Sequence, residues 1–157
     1  MTLADPHSLK SALSRLAQQG YQPVDAEHLD ALALQSPMLV VMLNEDPLKY
    51  PEVLDNLVIV PQVLREFASG TFQVAYADQV HSRRIAQRFG IVKYPALLFL
   101  RQGEYVGVIT GLMNWPDIVQ AFADKLTAAT SRAPSVGIAV TVAANPGDAA
   151  CLVSATK

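Results

Sequence analysis

The stretch from Phe89 to Gly111 constrains the fold more than any other part of the sequence. Phe89-Gly90 is a helix stop, because glycine readily takes the left-handed conformation that a C-cap requires. Tyr94-Pro95 then opens an apolar strand, 96–100, and a glycine-containing turn leads into a second strand, 105–110. The sequence therefore predicts a helix end, an X-Pro bond, and two antiparallel strands joined by a tight turn.

Length and charge limit the class of protein. A chain of 157 residues suits one domain and can bury about 68–70% of the surface of its unfolded chain. Its net charge of −2 argues against a nucleic-acid footprint, which requires a clustered basic face. A small basic group, Arg83, Arg84, Arg88 and Lys93, is interpreted as a solvated helix face.

Cysteine and histidine are too sparse for a disulfide or a metal site. The single cysteine, Cys151, excludes an internal disulfide and a CxxC motif. His7, His28 and His81 are scattered, and no two ligand-type residues have metal spacing, so we expect neither metal nor cofactor. We also expect a cytoplasmic protein without stable membrane insertion, because no signal-peptide pattern and no run of about 18 apolar residues occurs.

Hydrophobic periodicity and capping residues predict a helix followed by the order βαβαβαββα. The run 37–43 is apolar throughout, as a central strand covered on both faces would be. The predicted elements are a helix from Asp5-Pro6 to Gln19-Gly20, strand 21–24, a helix capped by Asp25 with Leu29, Leu32 and Leu34 inward, strand 37–43, an irregular segment 44–56, helix 57–67 with Pro61 in its first turn or kinking it, strand 71–77, helix 80–89, the hairpin, and a helix capped by Asn114 with Asp117 as its capping-box partner.

This order predicts an α/β fold with a central mixed sheet flanked by helices. It resembles the thioredoxin fold with one extra N-terminal helix. In that fold a cis-proline opens the first hairpin strand and faces the redox site, so the resemblance implies that Tyr94-Pro95 is cis. We expect a thioredoxin-like domain over residues 1–129. From 130 to 157 the composition changes to Ala, Ser, Pro, Gly and Val, which predicts a mobile tail.

The chemistry of the resembled fold is missing. Its redox dithiol would lie between the central strand and the next helix, where this chain has residues 44–57. That segment contains no Cys, Ser, Thr or His. Thiol exchange requires a thiolate that attacks a sulfur atom, so the segment predicts a redox fold without redox residues, and we expect no catalytic residue.

One family within this fold has lost the dithiol and carries a proline-and-acid segment in its place. Over about residues 8–128 the chain resembles the HyaE/HupG/HoxO family of hydrogenase accessory proteins. The matching residues are Asp46-Pro47, Pro51-Glu52-Val53, Asp55-Asn56, Leu64-Arg65-Glu66-Phe67, Val74-Ala75, Ala77-Asp78, Phe89-Gly90, Pro95-Ala96, Gly103, Tyr105, Gly107, Gly111 and Trp115.

The resemblance implies a cytoplasmic, non-enzymatic chaperone for a membrane-bound uptake nickel–iron hydrogenase. Its implied partners are the small-subunit precursor with its twin-arginine signal peptide, bound before export, and further hydrogenase accessory proteins. Some family members are linked to protecting the iron–sulfur assembly of the small subunit from oxygen.

The segment 44–60 offers a physical basis for such binding, because it carries four acids against one base, Lys49. Carboxylates can pair bidentately with the two guanidinium groups of the signal peptide, and an aromatic-bordered groove can receive its apolar stretch. The competing interpretation is a solvated acidic loop. The candidate partner-binding residues are Glu45, Asp46, Tyr50, Glu52, Asp55, Tyr94 and Pro95.

Three functions remain open from sequence alone. The first is the catalytically silent hydrogenase chaperone. The second is a redox enzyme that uses Cys151, or a bound thiol cofactor such as glutathione placed against Pro95. The third is a peptide-binding adaptor of this fold with another client. The absence of a thiol near Pro95 separates the first from the second, whereas the first and third differ only in client.

Overall fold

A computed structural model describes residues 6–134 of the chain. The described residues form five helices and five strands in the predicted order. These elements are α1 (Pro6–Gln18), β1 (Gln22–Pro23), α2 (Leu29–Leu34), β2 (Leu39–Leu43), α3 (Glu52–Leu64), β3 (Gln73–Tyr76), α4 (Gln79–Phe89), β4 (Ala96–Arg101), β5 (Glu104–Thr110) and α5 (Trp115–Thr127).

The five strands form one mixed sheet in the order β1-β3-β2-β4-β5. Strand β3 runs parallel to both β1 and β2. Strand β4 runs antiparallel to both β2 and β5. This topology confirms the predicted thioredoxin-like α/β class. None of the described helices is long and apolar enough to span a bilayer.

The central strand β2 is buried along its whole length, as predicted, although it begins at Leu39 rather than at residue 37. Its side chains alternate between two cores, because successive residues of a strand point to opposite faces. Val40 and Met42 contribute to the core beneath α1, α3 and α5. Leu39, Val41 and Leu43 contribute to the core beneath α2 and α4. The sheet therefore separates two layers of helices.

The hairpin of β4 and β5 forms as predicted. Gly90 caps α4 in the left-handed conformation with a φ of 70°. The β4–β5 turn places both Gln102 (φ 50°) and Gly103 (φ 90°) at positive φ, the geometry that suits a two-residue hairpin turn. The Tyr94-Pro95 peptide bond is cis, as the resemblance implied.

The start of α3 corrects the sequence prediction. The helix spans Glu52–Leu64 rather than residues 57–67, so the irregular segment between β2 and α3 is limited to residues 44–51. Pro51 occupies the N-cap position with a φ of −60°, and acids in the first turn favour the positive end of a helix. Pro61 consequently lies in the helix interior, where proline costs about 3 kcal/mol. Burial of Val53 and Val60 in the core offsets that cost.

The second helix is shorter than predicted, and one of its leucines faces solvent. Asp25 does not cap α2; its Oδ1 accepts a hydrogen bond from the His28 N–H at 2.7 Å in the turn before the helix. Leu29 and Ala33 are fully buried, but Leu34 is 68% exposed. At 100° per residue, Leu34 lies about 140° around the helix from Leu29, so the predicted inward position was wrong.

Helix α5 is held at both ends. Its N-cap residue Asn114 accepts a hydrogen bond through Oδ1 from the Asp117 N–H at 3.1 Å, as predicted. At the other end, the Arg101 guanidinium donates to the carbonyls of Lys125 (2.8 Å), Leu126 (3.1 Å) and Ala128 (2.7 Å). Those carbonyls have no donor within the helix, so Arg101 joins β4 to the C-terminal end of α5.

The first residues after α5 lie along the hairpin. The Ser131 N–H donates to the Tyr105 carbonyl at 2.9 Å, and Ala133 packs against the core beneath α4. The rest of the predicted tail, including Cys151, lies outside the described residues. The predicted domain boundary at residue 129 stays a prediction.

Replacing Arg101 with Met should lower the free energy of unfolding by about 1.5–3 kcal/mol, because several helix-end carbonyls lose a charged donor. Arg84→Met is the matched control: it removes a guanidinium that pairs with Glu27 on the surface, an interaction worth about 0–1 kcal/mol. Urea unfolding of both variants measures the difference. Equal losses would show that Arg101 does not stabilise α5 in the way described.

Candidate functional site

Three loops converge at one end of the sheet. In the register of the sheet, Leu43 at the end of β2 lies beside Ala96 at the start of β4. Ala96 in turn lies beside Thr110 at the end of β5. The segments 44–51, 92–95 and 111–114 therefore meet there. We call this region the Pro95 end.

The backbone of Pro95 links two of these loops. Its carbonyl accepts a hydrogen bond from the Gly111 N–H at 2.8 Å, which fixes the β5–α5 loop beside the cis peptide. Tyr94 packs against both cores. Its ring meets that of Tyr50 edge-on, with centroids 5.5 Å apart and an interplanar angle of 63°. The structure thus brings together three of the predicted partner-binding residues, Tyr50, Tyr94 and Pro95.

The acidic loop, residues 44–51, contains a tight turn from Asp46 to Tyr50. The Asp46 Oδ1 accepts from the Leu48 N–H at 2.9 Å. The Asp46 carbonyl accepts from the N–H groups of Lys49 (3.0 Å) and Tyr50 (2.9 Å). These bonds close the turn, and the side chain of Leu48 on the turn is 62% exposed.

Glu45 is not a free surface acid. Its carboxylate is largely buried and accepts two hydrogen bonds from Arg83 on α4, from Nε to Oε2 at 2.6 Å and from Nη2 to Oε1 at 2.9 Å. Oε1 also accepts from the Asp46 N–H at 2.9 Å. Such a bidentate, charge-assisted pair is strong and directional. Glu45 therefore anchors the acidic loop to α4.

The Glu45–Arg83 ion pair contributes to shifted pKa values of both side chains and of Tyr94. Burial alone would raise the pKa of Glu45, but the hydrogen bonds from Arg83 and from the Asp46 N–H outweigh it, so the pKa lies below its usual value. The pKa of Arg83 is raised, chiefly by its hydrogen bond to Glu45. Burial raises the pKa of Tyr94, and the nearby Glu45 charge adds to that shift.

A buried polar network lies behind the ion pair. The Ser82 hydroxyl accepts from the Asn44 N–H at 2.8 Å and donates to the Ala77 carbonyl at 3.0 Å. The Asn44 side chain donates to the same carbonyl at 2.9 Å. Buried polar groups need such partners. The network fixes the point at which the chain leaves β2 and enters the acidic loop.

The remaining predicted acids occupy different positions. Glu52 and Asp55 are exposed in the first turn of α3, three residues apart and thus neighbours on the helix surface. Asp46 is partly exposed at the start of the turn. Within residues 6–134, these three carboxylates form no ion pair. The Pro95 end and the adjoining first turn of α3 therefore have three available carboxylates rather than the four that were predicted as partner-binding.

Several apolar side chains are exposed at or beside the same end. Val92, just before the cis peptide, is 77% exposed. Leu48 belongs to the acidic loop, and Leu112, Met113 and Trp115 follow Gly111; all four are also exposed. Exposed apolar groups that cluster are typical of interaction sites. The surface combines acids with apolar contact area.

Sequence reasoning missed the role of α4 in this site. Arg83 was grouped with Arg84 and Arg88 as a solvated helix face, yet each of the three pairs with a carboxylate. No local signal could have identified the Arg83 pair, because 38 residues separate Arg83 from Glu45. Within the described part of the chain, no group of three or more His, Cys, Asp and Glu side chains could hold a metal ion.

Replacing Glu45 with Gln should destabilise the protein by about 1–3 kcal/mol at pH 7. The pKa of Glu45 is lowered in the folded state, so its contribution is complete above the unfolded pKa of about 4.3 and is lost as the pH falls through the folded pKa. The stability gap between wild type and variant should therefore narrow below about pH 4. Urea unfolding between pH 3 and pH 7 measures it.

Glu27→Gln is the matched control, because Glu27 pairs with Arg84 while both side chains are about half exposed. Its effect should stay below about 1 kcal/mol. A Glu45 variant no less stable than this control at pH 7 would contradict an anchoring role for the ion pair.

Comparison with known proteins places the chain in a family. A family model described as "Hydrogenase-1 expression protein HyaE" matches residues 12–118. The hydrogenase expression/formation protein HoxO of Cupriavidus necator is 36% identical over 137 residues, which cover 86% of this chain and 85% of HoxO. HupG of Bradyrhizobium diazoefficiens, another hydrogenase expression/formation protein, is 29% identical over 133 residues, covering 81% and 86% of the two chains.

A solved structure supports the fold alone. A single-site mutant of the thioredoxin from Halobacterium salinarum superimposes with a TM-score of 0.51 at 17% identity, over 69% of this chain and 91% of that thioredoxin. The fold is thus thioredoxin-like, and the sequence matches carry the relationship further. From the extent of those matches, the chain belongs to the HyaE family of hydrogenase expression proteins.

Proposed function

We propose that this protein is a non-catalytic chaperone for the small-subunit precursor of a membrane-bound uptake nickel–iron hydrogenase. It binds the precursor in the cytoplasm, including its twin-arginine signal peptide, before export and aids its maturation. Membership of a family of hydrogenase expression proteins supports the accessory role. The observation that carries the proposal is the Pro95 end, where an acidic loop and exposed apolar groups stand in place of a dithiol.

The chemistry of the Pro95 end fits an arginine-bearing, apolar peptide. The carboxylates of Asp46, Glu52 and Asp55 can accept hydrogen bonds from guanidinium groups. Leu48 and the edge-on pair Tyr50–Tyr94 offer apolar contact to the residues that follow the arginines. Each exposed ion pair contributes only about 0.2–1 kcal/mol, so affinity rests mainly on apolar contact and charge mainly orients the peptide.

Glu45 contributes to this proposal indirectly. By holding the Arg83 guanidinium through two hydrogen bonds, it keeps that positive charge neutralised beside the surface that is to receive arginines. It also fixes the start of the acidic loop. In this proposal Glu45 positions the binding surface, and the other three acids contact the client.

Two other functions compete with the chaperone. A peptide-binding adaptor with another client would use the same surface, and only the identity of the bound protein distinguishes it. A thiol-dependent redox enzyme would need Cys151 or a bound thiol cofactor beside Pro95. The segment 44–51 contains no Cys, Ser, Thr or His that could act as the nucleophile or base of such an enzyme.

Neutralising the three available acids, by Asp46→Asn, Glu52→Gln and Asp55→Asn, should slow association with the precursor by up to about tenfold at low salt. The effect should shrink as salt rises, because the screening length at 0.15 M is about 8 Å. Tyr50→Ala should instead speed dissociation by about 5- to 30-fold, since it removes apolar contact area. Binding kinetics at two salt concentrations, with and without the signal peptide, measure both effects.

The matched control neutralises three exposed acids elsewhere, through Glu27→Gln, Asp30→Asn and Asp124→Asn, and gives the same change in net charge. It should bind like wild type. If both triple variants lose binding equally, the acids act only through net charge. If neither form of the precursor binds to wild type, the client is a different protein and the adaptor function takes the place of the chaperone.

We expect no disulfide reductase activity, because the loop at the Pro95 end has no thiol and exchange requires a thiolate. An insulin-reduction assay of wild type and Cys151→Ser, with and without added glutathione, tests this. Turnover that disappears in the variant, or that requires glutathione, would favour the redox enzyme over the chaperone.

A further inference from the structure

We propose that a second surface, formed where α1 and α3 end, binds an acidic segment of a partner protein that carries an apolar anchor side chain. This surface, here called the basic groove, is lined by residues of both helices and of the segment between α3 and β3. It lies at the opposite end of α3 from the Pro95 end and shares no residue with it. It is therefore independent of the proposed precursor contact.

Two adjoining cavities give the basic groove its size. One is about 550 Å³ and the other about 190 Å³ in volume, and both are lined by Gln19, Pro61 and Arg65. Together they fall within the range of 300–1,000 Å³ that is usual for ligand-binding clefts. The groove can therefore receive more than one side chain of an extended segment.

The floor of the larger cavity is aromatic and firmly supported. Tyr21, Phe67 and Phe72 line it and are only partly buried. The rings of Phe67 and Phe72 meet edge-on at 5.1 Å, and Phe72 lies 5.4 Å from the fully buried Phe122. Because these rings are held by the core, contact with them costs little additional conformational entropy.

The positive charge of two arginines at the groove favours an acidic partner. Arg15 from α1 and Arg65 just after α3 are both exposed at its rim. Within the residues that the structure describes, neither side chain pairs with a carboxylate, whereas Arg83, Arg84 and Arg88 all do. Arginine and aromatic residues are both enriched at protein interfaces. Guanidinium groups bind carboxylates bidentately.

A protein segment fits these features better than a nucleic acid does. Two arginines over an apolar floor offer few phosphate contacts, and the chain as a whole is negatively charged. Nucleic-acid binding depends on many such contacts. An acidic peptide with one aromatic or aliphatic anchor uses both the charge at the rim and the apolar floor.

A labelled octapeptide of aspartates and glutamates around one central phenylalanine is the probe, and fluorescence anisotropy is the readout. Wild type should bind it, and Arg15→Gln combined with Arg65→Gln should weaken binding by between about 2-fold and 30-fold, as loss of two surface ion pairs implies. The loss should shrink at high salt. Replacing the phenylalanine of the probe with serine should also weaken binding to wild type.

The matched control, Arg84→Gln with Arg88→Gln, makes the same change in net charge on α4 and should leave the affinity within about 2-fold. Four results would overturn the proposal: no binding to wild type at millimolar peptide, equal binding of a lysine-for-acid peptide, an equal loss in the control, or an unaffected double variant. Circular dichroism confirms that each variant is folded. None of these outcomes depends on whether the Pro95 end binds the precursor.

Discussion

Burial of β2 on both of its faces is the constraint on which the rest of the structure depends. All five residues of the strand are fully buried, so helices must cover each side of the sheet. The strand can remain apolar only as far as Leu43. At Asn44, which is still buried, the backbone N–H donates to the Ser82 hydroxyl and the side-chain amide donates to the Ala77 carbonyl. The end of the central strand thus determines where the acidic loop can lie.

Local signals in the sequence predicted most of the fold. The apolar run of β2, the C-cap glycine at Gly90 and the N-cap at Asn114 all act within a few residues, and each formed as expected. The start of α3 was wrong because its prolines and acids were treated as breakers of structure. At a helix N-terminus the same residues are favourable.

The candidate site was less predictable, because its geometry depends on contacts between distant parts of the chain. The sequence identified the acidic loop, Tyr94 and Pro95, yet it did not show that Glu45 faces inward. That side chain is engaged by an arginine from another helix. Counting acids along a segment overestimates how many carboxylates are available, since pairing across the fold is invisible in a linear sequence.

Helix α3 separates two surfaces of opposite character. Its 13 residues span about 18 Å from first to last residue, with Glu52 at the Pro95 end and Leu64 at the basic groove. The helix is held against the core along its length by Val53, Leu57 and Val60. The two proposed contacts are therefore fixed relative to one another.

The position of Glu52 and Asp55 in the first turn of α3 has a consequence for the field at the Pro95 end. A helix N-terminus carries roughly half a positive elementary charge, which partly cancels the two carboxylates there. An approaching cation therefore experiences less than two full negative charges from them. Electrostatic steering of the proposed client should therefore correspond to an effective charge smaller than the formal count of acids. Asp46 lies on the turn that precedes the helix. Of the three available carboxylates, it is therefore the one whose negative charge is least offset by the N-terminus of α3.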